Sequence, residues 1–179
     1  MSFKTPTSVL IVGPSGCGKT VFVTKLLRNA HLYFENSIPN IHYCYGIWQN
    51  RYSQMKKFGV QFHQGIPTAE DLSKMFDKTK GGYLVLDDLM AEGENDQRMS
   101  DVFTKDSHHH NITVLYLCQD MFLPGKYAKT ISQNAHYIIA FQSERDQLGL
   151  KICCFKPFLP FGKMCWMSMR KRRAAHTLI

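Results

Sequence analysis

Short apolar runs recur along the chain, separated by polar stretches of helical character. The first run, SVLIV (8–12), is continuous, as in a strand buried on both faces. After it, the segment from Lys19 to Asn29 carries Val21, Phe22, Val23, Leu26 and Leu27, a pattern that suits a helix packed on a sheet. IHYCYG (41–46) predicts a strand ending at glycine. RYSQMKKF (51–58) predicts one short helix, and VQFH (60–63) a weaker strand. IPTAEDLSKMF (66–76) predicts a helix with Thr68 as N-cap, carboxylates in its first turn, and Leu72, Met75 and Phe76 at helical spacing. YLVLDD (83–88), ITVLYLC (112–118) and AHYIIAF (135–141) predict three more strands, with a helix expected from Gln97 to Asp106. This alternation predicts an α/β fold, a mostly parallel sheet with helices on both faces. No internal repeat or low-complexity linker interrupts it.

At 179 residues the chain is expected to form one domain with a sizeable core. Its apolar runs fall short of the roughly 18 to 20 residues of a membrane span, so no membrane partner and an intracellular location are expected. The six cysteines contain no CxxC pair, which argues against a zinc site or a disulfide framework. The net charge of +8 is uneven. Residues 151–179 hold seven Lys/Arg and no Asp/Glu, leaving 15 against 14 in residues 1–150. The body is therefore nearly neutral, and a nucleic-acid reading based on charge rests on the tail.

The chemistry begins at VLIVGPSGCGKT, Val9 to Thr20. GPSGCGKT matches GxxxxGK[ST], with an apolar strand before it and a helix after it. Gly13, Gly16 and Gly18 permit torsions that turn backbone N–H groups toward phosphate, and Pro14, Ser15 and Cys17 complete the loop. The helix that follows adds its positive N-terminal end. Lys19 is expected on the β- and γ-phosphates and Thr20 on Mg²⁺. Alone, this loop serves a small kinase, a nucleotide switch or a motor on nucleic acid.

The second element is YLVLDDL (83–89), an apolar strand ending in two carboxylates, 68 positions after Lys19. Asp87 is expected to hold Mg²⁺ through water and Asp88 to act as general base, with Glu92 as an alternative base. The third is Gln119, at the end of ITVLYLCQD (112–120), an amide that would sit near the γ-phosphate in a RecA-like fold. The candidate strand IHYCYG between the loop and the carboxylates leans toward the additional-strand class of P-loop NTPases, which includes RecA-like motors.

Together these elements resemble the FtsK/HerA superfamily of pumping ATPases. The resemblance is closer to the poxvirus-like genome-packaging ATPases of Polinton/Maverick elements and large eukaryotic DNA viruses. It extends through LVLDDLM (84–90), VFTKDSHHHNITVLYLCQDMF (102–122) and GKYAKTISQNAHYIIAF (125–141), and covers roughly Val9 to Gly149. It implies ATP hydrolysis with Mg²⁺, translocation of double-stranded DNA into a capsid, a homo-oligomeric ring, contact with capsid proteins, and action in the host nucleus or at a viral assembly site. Such rings complete the site with an arginine from a neighbour. Arg145 is preferred, as it follows a strand expected at a sheet edge, and Arg98 is the alternative. Members of the group tend to carry Arg where His110 stands, so the resemblance does not carry a phosphate or DNA role over to that position. The run SHHHN (107–111) reads as a solvated helix end rather than a metal site, because consecutive histidines cannot all face one ion. WQNRYSQMKK (48–57) suits a DNA-facing loop or an exposed amphipathic helix equally well, and Lys126 and Lys129 form a second candidate of that kind. A nucleotide kinase would need an arginine-rich lid and an acceptor pocket, neither of which is visible. A non-catalytic nucleotide-binding relic is the remaining alternative.

The segment 151–179 departs from the packaging pattern. It reads either as a basic DNA-binding tail or as sequence outside the ancestral reading frame. Synonymous codons for ICCFKPFLPFGKMCWMSMRKRRAAH let the adjacent frame read approximately LLFQTLPSVWKNVLDVYEKATRRPH, an ordinary amphipathic string that looks like the C-terminal region of the packaging family. The frameshift predicts that the gene's nucleotide sequence carries this second reading open through the segment. An adjacent frame that is nonsense or stops at once removes the idea.

Overall fold

The computed structural model describes residues 3–36, 40–89, 93, 95–120 and 125–141, and the backbone of 163–167. A single sheet holds β1 (Ser8–Val12), β2 (Ile41–Tyr45), β3 (Val60–Gln64), β4 (Gly82–Asp87), β5 (Ile112–Cys118), β6 (Tyr137–Phe141) and β7 (Lys163–Met167). The order is β3-β2-β4-β5-β1-β6-β7, and every pairing is parallel. Parallel neighbours require crossovers, and the helices supply them. They are α1 (Lys19–Arg28), α2 (Ala30–Tyr33), α3 (Tyr52–Met55) with a 3-10 turn at Lys56–Phe58, α4 (Ala69–Met75), α5 (Gln97–Asp101), α6 (Ser107–His109) and α7 (Ala128–Gln133).

Successive strand residues point to opposite faces, and both faces are buried. Val9, Ile11, Tyr43, Tyr83, Val85, Leu115 and Leu117 pack against Phe22, Val23 and Leu26 of α1 and Tyr52 and Met55 of α3. Leu10, Cys44, Leu84, Leu86, Val114 and Tyr116 pack on the other side against Leu72 of α4, Met99 of α5 and Ile131 of α7. This explains the continuous rather than alternating apolar runs in the sequence.

The RecA-like, additional-strand topology is present. The strand inserted between β1 and the carboxylate strand β4 is β5, whereas IHYCYG, as β2, lies on the outer side of β4. The expected helix over 66–76 forms at Ala69–Met75, where Thr68 and Asp71 make a reciprocal capping box. The expected helix from Gln97 continues further. Val102–Asp106 takes π geometry between α5 and α6, so helical backbone runs on to His109. β7 adds a strand outside β6, so the expectation that the strand before Arg145 lies at the sheet edge does not hold.

The turn into β4 is tightly built. Gly81 has φ 64°, and a Cβ there would lie 2.0 Å from the Asn111 carbonyl oxygen just before β5. Backbone on both sides must move to admit a methyl group. Gly81→Ala is therefore expected to cost about 1–3 kcal/mol, seen as a lower urea midpoint with unchanged m. An unchanged midpoint would mean that the turn yields freely.

Candidate functional site

β1 ends at Val12, and the chain turns through Gly13 to Gly18 into α1. Gly16 and Gly18 have φ of 76° and 103°, with open space where a Cβ would stand. Gly13 has a different reason to be glycine. A Cβ there would meet the Phe141 Cβ at 2.7 Å and the Cys17 Sγ at 2.9 Å. Lys19, the first residue of α1, folds its ammonium back over the loop and donates to the carbonyls of Gly13 and Pro14, the latter at 3.1 Å.

Opposite the loop stands Asp87, the last residue of β4, buried at 5% exposure. Its Oδ2 accepts three hydroxyls: Thr20 Oγ1 of α1 at 3.2 Å, Tyr43 OH of β2 at 2.5 Å, and Tyr52 OH of α3 at 3.0 Å. Both phenols are fully buried. Burial pushes their ionisation well above the ordinary tyrosine range, and the charge of Asp87 pushes it further. They therefore stay protonated and remain donors to the carboxylate across the accessible pH range.

The next residue, Asp88, is exposed and has φ 58°, a left-handed conformation that aspartate tolerates better than most residues. It faces the same cleft as Lys19, Thr20 and Asp87. Gln119 enters that cleft from the residue after β5, with Ser15, Gly16 and Gly18 on the loop side. The cleft has a volume of about 430 Å³. One hydroxyl and one carboxylate beside a polar cleft suit Mg²⁺, a hard cation that takes few protein ligands and fills its shell with phosphate and water. Thr20 Oγ1 and Asp87 are the residues that fit it.

Two contributions to this site were not legible in advance. Tyr43 reads as part of the strand IHYCYG and Tyr52 as part of the DNA-facing or exposed segment WQNRYSQMKK, and no local spacing announces that their hydroxyls meet Asp87. Gln49 and Arg51 also line the cleft. The segment WQNRYSQMKK is thus not simply a DNA-facing surface: Tyr52 is buried on the carboxylate, and Arg51 faces the cleft. Lys56 lies over the Trp48 ring, 5.1 Å from its centroid.

Other candidates fall elsewhere. Arg98 is committed within the chain, to the Asp96 carboxylate at 2.6 Å and to the Ile66 carbonyl at 2.9 Å. In SHHHN, His108 and His109 are exposed, but His110 is buried and its Nδ1 has no hydrogen-bond partner, so the run is not wholly a solvated helix end. No group of three His, Cys, Asp or Glu residues suited to a metal occurs among the described residues. No helix of the described residues is long and apolar enough to cross a membrane. Arg145, Glu92, and the tail apart from β7 lie outside the described residues.

The hydroxyl triad yields a direct expectation. Tyr52→Phe removes one donor to a buried carboxylate and should cost about 1–3 kcal/mol in urea unfolding. No loss of stability would mean that the Tyr52 hydroxyl adds nothing to the carboxylate's support.

The family model for the poxvirus A32 protein matches residues 2–150. No curated protein matches the chain.

Proposed function

Because the chain belongs to the poxvirus A32 protein family, a family of packaging ATPases, we propose that it hydrolyses ATP to drive double-stranded DNA into a capsid. The observation that carries the ATPase part is the meeting of Lys19, Thr20, Asp87, Asp88 and Gln119 on one cleft. These residues lie at or beyond the carboxyl ends of β1, β4 and β5, with Lys19 and Thr20 opening α1, and it is at such ends that open parallel sheets bind ligands.

In this reading the loop from Gly13 to Gly18 wraps the phosphates with backbone N–H groups. Lys19 exchanges its loop carbonyls for the β- and γ-phosphate oxygens. Thr20 and Asp87 would hold Mg²⁺, which would supply neutralisation of the phosphate charge. Asp88 accepts a proton from the attacking water, and Gln119 hydrogen-bonds water and terminal phosphate. Double-stranded DNA, a homo-oligomeric ring and capsid proteins are the proposed partners, and the viral assembly site is the proposed place of action. An arginine donated by a neighbouring subunit, with Arg145 as candidate, belongs to the same proposal.

The test is ATP turnover by the purified chain with and without double-stranded DNA. Turnover stimulated by DNA and abolished in Lys19→Ala is expected. Asp88→Asn should lower turnover about 10²–10⁴-fold while nucleotide binding persists. Phosphoryl transfer to a small acceptor would instead make the protein a kinase. Nucleotide binding without turnover, under any DNA condition, would make it a non-catalytic relic.

A further inference from the structure

The segment between β2 and β3 carries an arginine that the ATPase reading has not used. We propose that Arg51 is a second cation of the nucleotide site, supplied by the same chain, whose guanidinium contacts the terminal phosphate of ATP. This rests on the reading of the cleft as an ATP site and deepens it.

Three observations support the assignment. The first is location. Arg51 lines the cleft together with Lys19, Asp87, Asp88 and Gln119. The strand order then fixes the side from which it comes. β2 lies beyond β4, away from β5 and β1, so the loop leaving β2 enters from the carboxylate side of the cleft. That is the end at which the scissile phosphate must sit if Asp88 is to activate water against it.

The second is anchorage. Arg51 immediately precedes α3, and its neighbour Tyr52 is held by the hydrogen bond to Asp87. Trp48, three residues earlier, packs edge-on against Tyr52 and Phe62 at centroid distances of 5.5 and 5.2 Å. Tyr52 in turn stacks on Phe62 at 5.7 Å. The Arg51 backbone therefore adjoins a buried ring whose hydroxyl is fixed on Asp87, and its position is tied to the same carboxylate that marks the metal end of the site. A cation on a fixed base is pre-organised for phosphate, and so loses less entropy on binding than a loose surface arginine would.

The third is charge. The ion pairs among the described residues are Arg98–Asp96 and Lys105–Asp101, and neither involves Arg51. Two carboxylates, Asp87 and Asp88, gather negative charge at the end where ATP brings its terminal phosphate. A guanidinium there offsets that repulsion and can bind two phosphate oxygens at once. Lys56, in the same segment, lies over Trp48 and does not line the cleft, so the segment's cations divide into one that faces nucleotide and others that do not.

The experiment compares affinities of the full chain for ADP and for a non-hydrolysable ATP analogue, both with Mg²⁺, by calorimetry. Arg51→Ala is expected to weaken the analogue about tenfold or more and to leave ADP within about twofold. Arg51→Lys should recover part of the loss, and Lys56→Ala should change neither affinity. Circular dichroism and the urea midpoint of each variant establish that the fold is kept, with Arg51→Gln as the substitute should alanine disturb it. Equal weakening of both nucleotides, or no weakening, overturns the proposal. An unchanged ratio accompanied by loss of double-stranded DNA binding also overturns it and assigns Arg51 to DNA. A wild-type chain that binds neither nucleotide overturns the ATP-site reading itself, a result distinct from a failure of Arg51 alone.

Discussion

A single oxygen, Asp87 Oδ2, joins the parts of this molecule. It takes hydroxyls from α1, β2 and α3 while itself closing β4. A carboxylate at 5% exposure is costly unless its lone pairs are satisfied, and here one oxygen alone receives three donors. The same contacts hold the helix that bears Lys19 and Thr20, the strand beyond β4 and the segment that bears Arg51 at fixed distances from one another. Core packing and site geometry are thus coupled at a single charged group. A substitution at Tyr43 or Tyr52 would be felt both as lost stability and as a displaced cation.

The sheet register brings the remaining groups level. Asp87 lies opposite Leu117, and Cys118 opposite Val12. One or two residues beyond those positions come Asp88, Gln119 and Gly13, so three strand ends deliver a carboxylate, an amide and the start of the loop to one rim. The insertion of β5 between β1 and β4 is what permits this. With β4 directly beside β1, no strand end would stand between loop and carboxylates to present Gln119. Burial of both faces by the helices leaves that rim as the place where polar groups from several strands can gather.

Much of this was readable in the chain because the informative features are local. The loop, the paired carboxylates and β5 each occupy a few consecutive residues with their own chemistry, and ITVLYLC predicted β5 at both ends. Features that depend on distant pairing were hidden. Tyr43 looks like an ordinary strand residue, and Tyr52 like one of the aromatics of an exposed or DNA-facing segment, until β2 is placed beside β4, with Tyr45 opposite Asp87. Arg51 looked like a surface cation among lysines for the same reason. α2 and α7, of four and six residues, are too short to express a periodic stripe. The extension of the helix from Gln97 to His109 passes through a π segment, whose wider turn breaks the spacing that a helical pattern would show. Local chemistry identified the family resemblance, whereas tertiary register decided which side chains complete the site.

The placement of β1 also bears on the order in which the molecule can be assembled during synthesis. β1 is made first, yet its two neighbours are β5 and β6, with Ser8 opposite Val114 and Val9 opposite Tyr137. The earliest pairs that a growing chain can form are β2 with β3 and then β2 with β4. The glycine loop therefore emerges from the ribosome before the strand beside it, and its site is expected to close once β5 pairs with β1. A nascent chain cut short before β5 would contain every residue of the loop but neither Gln119 nor the strand that seats β1 beside β4.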